Sequence, residues 1–164
     1  MADKGLSITP CNNAAIRRAT RMLGQLYDDA LAPSGLRATQ HNLLNTIRVM
    51  DAPTLREMAT ALVMDLSALG HSLKPLVRHG LVAVTTDAQD RRAKRATLTK
   101  AGSKKLQETA RLWRQAQDRF DIAFGSGRAE ELRESLASVS TDEFRQAFRD
   151  GRPLAKRRQR DRGL

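Results

Sequence analysis

The sequence predicts a mainly α-helical fold with one small β-hairpin. Three observations predict it. Apolar residues recur at helical spacing through most of the chain, and two short β-branched runs, Val82 to Thr86 and Ala96 to Thr99, flank a polar stretch that reads as a hairpin tip. That tip is basic, holding Asp87, Asp90, Arg91, Arg92, Lys94 and Arg95. The hairpin follows directly on an amphipathic helix, which itself follows another short helix. Helix, turn, helix, hairpin is the order of a winged helix-turn-helix, here with further helices on both sides.

Each element has a local reason. From Asn12 to Leu31 the positions Ile16, Ala19, Leu23, Leu26, Tyr27 and Ala30 share a helical stripe, with Asn12 or Asn13 as N-cap. Pro33, Ser34 and Gly35 break that helix. Thr39 is placed to cap a second one, whose stripe is Leu43, Leu44, Ile47 and Met50, and Asp51, Ala52 and Pro53 end it. Thr54 and Glu57 form a capping box ahead of Leu55, Met58, Ala59 and Leu62. Asp65 caps the fourth helix, whose stripe of Leu66, Leu69, Leu73, Leu76 and Val77 leaves a small, polar and basic face. Pro75 is expected to bend that helix or tighten its last turn, and Gly80 ends it. After the hairpin, Leu106, Ala110, Trp113, Gln117 and Phe120 mark a helix of about twenty residues. Gly125, Ser126 and Gly127 break it, and a last helical region from Arg128 carries Leu132, Leu136, Val139, Phe144 and Phe148.

The expected organisation is an N-terminal arm over residues 1–11, one domain over 12–150, and a basic, disordered tail over 151–164. Within the domain, the winged helix takes about 36–100, and dimerisation helices take about 12–32 and 102–150. The long terminal helices are amphipathic yet bracket a middle of only about sixty residues, too little to cover all their stripes. A second copy is the natural cover, giving a two-fold homodimer.

Composition points to a polyanion. With 29 Lys and Arg against 18 Asp and Glu, the formal charge is +11, enough for long-range attraction to nucleic acid. No apolar run approaches the roughly 18 residues of a membrane span, and the N-terminus has no apolar signal segment. A cytoplasmic protein without membrane partners is expected. One cysteine excludes an internal disulfide, and three scattered histidines argue against a structural zinc site. No nucleophile with its base, metal-ligand cluster or Gly-rich phosphate loop appears, so neither catalysis nor a cofactor is expected.

Four motifs in order carry a resemblance: Gly35-Leu36-x-x-Thr39-Gln40, Leu73-Lys74-Pro75-Leu76-x-x-x-Gly80-Leu81-Val82, Asp87-x-x-Asp90-Arg91-Arg92-Ala93-Lys94 and Leu98-Thr99-x-x-Gly102. Together they make the chain similar to the multiple-antibiotic-resistance regulator (MarR) family from about Ile16 to Val139. The resemblance implies a homodimeric winged helix that binds a palindromic operator on double-stranded DNA. Such a protein usually represses, and a small phenolic or other anionic ligand, or in some branches cysteine oxidation, releases it.

In that setting the fourth helix enters the major groove, and Ser67, Ala68, Gly70, His71 and Lys74 are the candidate reading face. Many relatives carry arginine where Leu66 stands, which shifts the expected weight toward the wing and DNA shape. At the wing, Arg92 suits the minor groove with Asp90 holding it in position, while Arg91, Lys94 and Arg95 suit phosphates. Thr39 and Gln40 open the second helix, where they either cap it or present amides to a phosphate. For an effector, Arg17, Arg18, Tyr27, His41, Asn45 and Trp113 are the polar and aromatic candidates, with an aromatic acid or acyl-coenzyme A thioester as ligand. Tyr27 and Trp113 lie on apolar stripes and serve equally as core. Cys11 stands near a helix start, where a thiol can be activated, but has no second cysteine to resolve it. The alternatives are a basic architectural or RNA-binding protein of low sequence choice and a redox regulator acting through Cys11. The 4% aromatic content lowers the RNA reading.

Overall fold

Chain order explains the architecture, described for residues 11–154 in a computed structural model. Helix α1 spans Asn12–Leu31, a single 3-10 turn spans Ala32–Ser34, and α2 spans Ala38–Met50. Then come α3 (Leu55–Ala61), α4 (Leu66–Arg78), strands β1 (Val82–Thr86) and β2 (Lys94–Leu98), and helices α5 (Lys100–Phe124), α6 (Ser126–Val139) and α7 (Asp142–Arg149). The expected arm before Cys11 and the basic tail beyond Leu154 lie outside the described residues. The chain divides into two compact units, one ending at Gln117 and the other starting at Asp118.

The first unit holds the main core. Leu43, Leu44 and Ile47 of α2, Met58 and Ala59 of α3, and Leu69, Leu73 and Leu76 of α4 are buried together with Leu36, Leu81, Val82, Ala96 and Leu106. Burying each leucine, isoleucine, valine or methionine of this set contributes about 1.5–3 kcal/mol, so three short helices become stable only as a packed set. The two strands are antiparallel, pairing Val82 with Leu98 and Thr86 with Lys94. Val82 and Ala96 turn inward, which sets the register and leaves the other face of the hairpin outside.

Caps and turns fix the connections. Thr54 and Glu57 form the expected box: the Thr54 amide donates to Glu57 Oε2 at 2.7 Å and the Glu57 amide to Thr54 Oγ1 at 3.2 Å. Asp65 Oδ1 accepts from the Ala68 amide at 2.7 Å. Helix α4 runs through Pro75 and ends on Gly80, whose φ of 67° is left-handed. There the Leu81 amide reaches back to the Leu76 carbonyl and the Gly80 amide to that of Val77. Gly102 has a different reason: a Cβ there would lie 1.9 Å from the Leu81 carbonyl oxygen. No other residue fits where α5 crosses the start of the hairpin.

Several boundaries depart from expectation. The N-cap of α1 is Cys11 rather than Asn12 or Asn13, and no side chain caps it. Thr39 lies inside α2 and is not its cap. Gln40 Oε1 accepts from the Arg37 amide at 2.9 Å, and Asp28 Oδ1, reaching from α1, accepts from the Ala38 amide at 2.7 Å. A carboxylate from ten residues upstream supplies what a local cap would have supplied. Strand β2 starts at Lys94 rather than Ala96, because the ladder runs on to Thr86 and the Asp87 amide then donates to the Ala93 carbonyl. Helix α5 begins at Lys100, where Thr99 Oγ1 accepts from the Gly102 amide at 3.0 Å. Leu66 and Val77 are 48% and 41% exposed, since the buried stripe of α4 is only Leu69, Leu73 and Leu76.

The second unit contains the end of α5 with α6 and α7. The last helical region is two helices, because Thr141 Oγ1 accepts from the Phe144 amide and starts α7 afresh. Ala129 and Ala147 are buried, while Ile122, Leu136, Val139 and Phe148 are exposed.

Candidate nucleic-acid interface

Helix α4 presents a face free of the core. Ser67, His71 and Lys74 recur at spacings of four and three residues and are all exposed. Ala68 and Gly70 are half-buried beside them, and a Cβ added at Gly70 would meet nothing within 4 Å. Leu66 opens the same helix, exposed despite its place at the end of an apolar stripe, and offers a surface of the kind that meets a thymine methyl. His71 Nδ1 lies 2.9 Å from the Ser67 carbonyl oxygen, which can only accept. The Nδ1 therefore carries the proton, and in the neutral ring Nε2 is an acceptor.

The hairpin tip is a built turn. Asp87 is 6% exposed, and its Oδ1 accepts from the amides of Gln89 at 2.7 Å and Asp90 at 2.8 Å. Its Oδ2 is ion-paired with the Arg95 guanidinium. These bonds, the Asp90 amide foremost, then Arg95, then the Gln89 amide, hold the Asp87 carboxyl below the usual range. The Ala93 amide closes on the Asp90 carbonyl at 2.9 Å. Asp90 Oδ1 accepts from the Arg92 amide at 2.9 Å. Asp90 thus fixes the backbone of Arg92 and leaves its guanidinium without an ion pair among the described residues, as is that of Arg91. Both arginines are exposed.

Arg95 is not a free tip cation. Its guanidinium turns inward to Asp87 and donates from Nη1 to the Ala52 carbonyl at 2.7 Å. Lys94, exposed at the start of β2, stays with the tip. At the start of α2, Asp28 and Gln40 already occupy amides, and the Asp28 carboxylate would oppose a phosphate there. Gln40 therefore acts as a cap, and Thr39 is exposed beside it without a capping bond.

A groove of about 510 Å³ lies between α2 and α5, lined in part by His41, Asn45, Arg48, Gln107, Trp113 and Arg114. Trp113 is stacked on His41 with centroids 4.7 Å apart and 19° between planes, and Tyr27 packs on Trp113 at 5.1 Å. Tyr27 itself does not line the groove; its hydroxyl donates to Gln117 Oε1. Arg17 and Arg18 are exposed on α1 and do not line it either. The cations at the groove are Arg48 and Arg114, which sequence reasoning missed. Arg48 was findable, seven residues after His41 on one face of α2; Arg114 needed the packing of α5 on α2. His41 is 5% exposed, with Nδ1 2.8 Å from Thr109 Oγ1, and burial lowers its pKa. Cys11 is exposed. Among the described residues no group of three or more His, Cys, Asp or Glu could hold a metal ion, and no helix is long and apolar enough to cross a membrane.

A helix with an exposed polar and basic face beside a basic two-stranded wing defines a winged-helix DNA-binding protein. Known proteins specify which kind. The sequence profile of the MarR family matches residues 36–94. The structure of the M. tuberculosis transcriptional regulator MosR in complex with DNA is 35% identical, covers 87% of this chain and 99% of its own, and superposes with a TM-score of 0.73. A mutant MarR of E. coli complexed with operator DNA is 23% identical over 77% of this chain and 91% of its own, with a TM-score of 0.70. CouR of Rhodococcus jostii RHA1 bound to p-coumaroyl-CoA is 20% identical over 81% of this chain and 94% of its own, with a TM-score of 0.69. Curated protein sequences give no match. The chain belongs to the MarR family of DNA-binding transcriptional regulators.

Proposed function

We propose that the protein is a homodimeric repressor that binds a palindromic operator and is released by an anionic aromatic ligand. One observation carries the DNA half of this reading: the outward face of α4 and the exposed Arg91 and Arg92 of the wing stand on one small unit with a shared core. In a two-fold dimer the two α4 helices meet successive major grooves, and the wings follow the flanking minor grooves. The dimer half rests on exposed apolar surface. Leu31 is the one buried residue of α1, while Ile16, Met22 and Leu26 lie open along it. In the second unit Ile122 is 84% and Phe148 77% exposed. A second copy covering these faces removes a large apolar area from water.

The ligand half rests on the chemistry of the α2–α5 groove. Trp113 and His41 offer a stacking wall, and Arg48 and Arg114 offer charge for a carboxylate or phosphate. An aromatic acid or an acyl-coenzyme A thioester supplies both features. CouR, bound to p-coumaroyl-CoA, is a precedent in a protein of this fold.

The test compares binding of the palindrome upstream of the gene with that of a scrambled duplex at physiological salt, with stoichiometry from analytical ultracentrifugation. Two chains per duplex and a preference of roughly 10³ or more are expected for a specific regulator. Equal affinities favour a low-specificity architectural protein and refute the operator reading. A thermal-shift screen of aromatic acids and acyl-coenzyme A thioesters follows, since a ligand of the folded state raises its stability by mass action. A hit must also weaken operator binding; one that stabilises without releasing DNA contradicts the proposed control.

A further inference from the structure

The geometry points to Arg95 as a positioning residue, a clamp that fixes the wing tip to the turn after α2 and so aims Arg91 and Arg92 at DNA without itself touching it. Its guanidinium has two fixed partners on different segments. One is Asp87, where the tip begins, and the other is the Ala52 carbonyl, 2.7 Å from Nη1 and 43 residues away in sequence. Ala52 and Asp51 both have positive φ, 58° and 51°, so the chain turns sharply there and aims that carbonyl at the hairpin. The Ala96 amide donates to the Pro53 carbonyl at 3.0 Å, and Thr54 bridges to Arg95. The turn after α2 thereby runs along β2 as a short third edge.

What Arg95 holds is the part of the tip that carries the exposed Arg91 and Arg92. The buried Asp87 carboxylate organises the amides of Gln89 and Asp90, and Asp90 in turn holds the amide of Arg92. The path from Ala52 through Arg95, Asp87 and Asp90 to Arg92 is one continuous set of hydrogen bonds and a single ion pair. A two-stranded hairpin alone holds its tip loosely. Tied at Arg95 to the helical core, it offers Arg91 and Arg92 in one arrangement, and ordering them before DNA arrives lowers the entropy cost of binding. Only a planar, forked cation reaches two acceptors at once in this way.

The inference rests on the wing meeting DNA, and the experiment separates the two. Full-length protein carrying Asp87→Asn, Arg95→Lys or Arg92→Gln is measured against a duplex selected from a random pool, over a series of salt concentrations. Asparagine keeps an oxygen for the Gln89 and Asp90 amides but loses the ion pair. Removing one negative charge from a DNA-binding surface should strengthen binding if charge alone mattered. The clamp predicts the opposite: Asp87→Asn and Arg95→Lys each weaken binding by about tenfold, the scale of one charge-assisted bond, with the salt slope unchanged. Amide exchange at Gln89 and Asp90 should quicken in Arg95→Lys while the Tm of the core stays near that of the parent. Arg92→Gln should lower the slope by about 0.9 for each phosphate that its guanidinium neutralises in the parent. Tighter or unchanged binding by Asp87→Asn overturns the clamp, as does Arg95→Lys binding like the parent. An unchanged affinity and slope in Arg92→Gln instead overturns the wing reading beneath it.

Discussion

Replacing Gly70 with alanine should move stability and DNA binding in opposite directions. A Cβ built at Gly70 meets nothing within 4 Å, so the methyl fits the free protein without displacing anything. Gly in a helix interior costs about 0.5–1 kcal/mol relative to Ala. For a chain of this size that gain raises Tm by roughly 1–4 °C. The same methyl stands on the face of Leu66, Ser67, His71 and Lys74, between the helix and whatever it reads. If α4 lies in the major groove, the backbone at Gly70 can no longer approach as closely, and neighbouring polar contacts lengthen with it. A penalty like that of one mismatched base pair, about 1–3 kcal/mol per half-site, applies twice in a dimer and weakens operator binding by roughly 30-fold or more. Differential scanning fluorimetry and fluorescence anisotropy with a labelled duplex give the two numbers. A raised Tm with unchanged affinity would refute the placement of this face on DNA. A lowered Tm would refute the account of α4 itself.

Three further predictions concern the scaffold. Gly102→Ala forces a Cβ within 1.9 Å of the Leu81 oxygen, which also accepts the Thr99 amide. The backbone must shift, costing about 3 kcal/mol and roughly 6–12 °C of Tm, and a parental melting curve would contradict that packing. Thr54→Ala removes the hydroxyl that accepts the Glu57 amide and should cost about 1 kcal/mol, read by urea denaturation. His41 gives a pH dependence. Burial lowers its pKa from the ordinary 6.5, so the folded chain resists a proton that the unfolded chain accepts. Its contribution is whole above pH 6.5 and is lost as the pH falls through the lower folded value. The difference in Tm between the parent and His41→Gln should therefore shrink from pH 7.5 to 5.5, and a constant difference would exclude the buried neutral ring.

The sequence made the elements legible because their signals are local. The Thr54–Glu57 box, Asp65 and Gly80 are set by residues within a few positions of one another, and the structure keeps them. What failed was supplied from a distance. Asp28 caps α2 from another helix, so Thr39 has the look of a cap without the role. Arg95 resembles one more cation of a basic tip, since nothing near it in sequence announces the Ala52 carbonyl. At the interface, the spacing of Ser67, His71 and Lys74 was readable, but the exposure of Leu66 depended on how α4 settles on α2 and α3. The groove was half legible for the same reason. Of the effector candidates His41, Asn45 and Trp113 line it, Arg17 and Arg18 do not, and Arg114 takes its place only when α5 packs on α2. Gly102 stands in a family motif, and its reason is the Leu81 carbonyl, twenty-one residues earlier and visible only once α5 crosses the hairpin.

Hydroxyl-radical footprinting combined with dimethyl sulfate probing of guanine N7 in the major groove, on the intact protein with a selected duplex, tests the central claim most directly. The account predicts two-fold symmetric protection, with two major-groove centres one helical turn apart, about 10–10.5 base pairs, and protected minor groove where the wings lie. In Arg92→Gln the minor-groove protection should fade while the major-groove centres remain. Protection spread evenly along the duplex, or confined to a single half-site, would contradict a dimer that reads DNA with α4 and grips it with the wing.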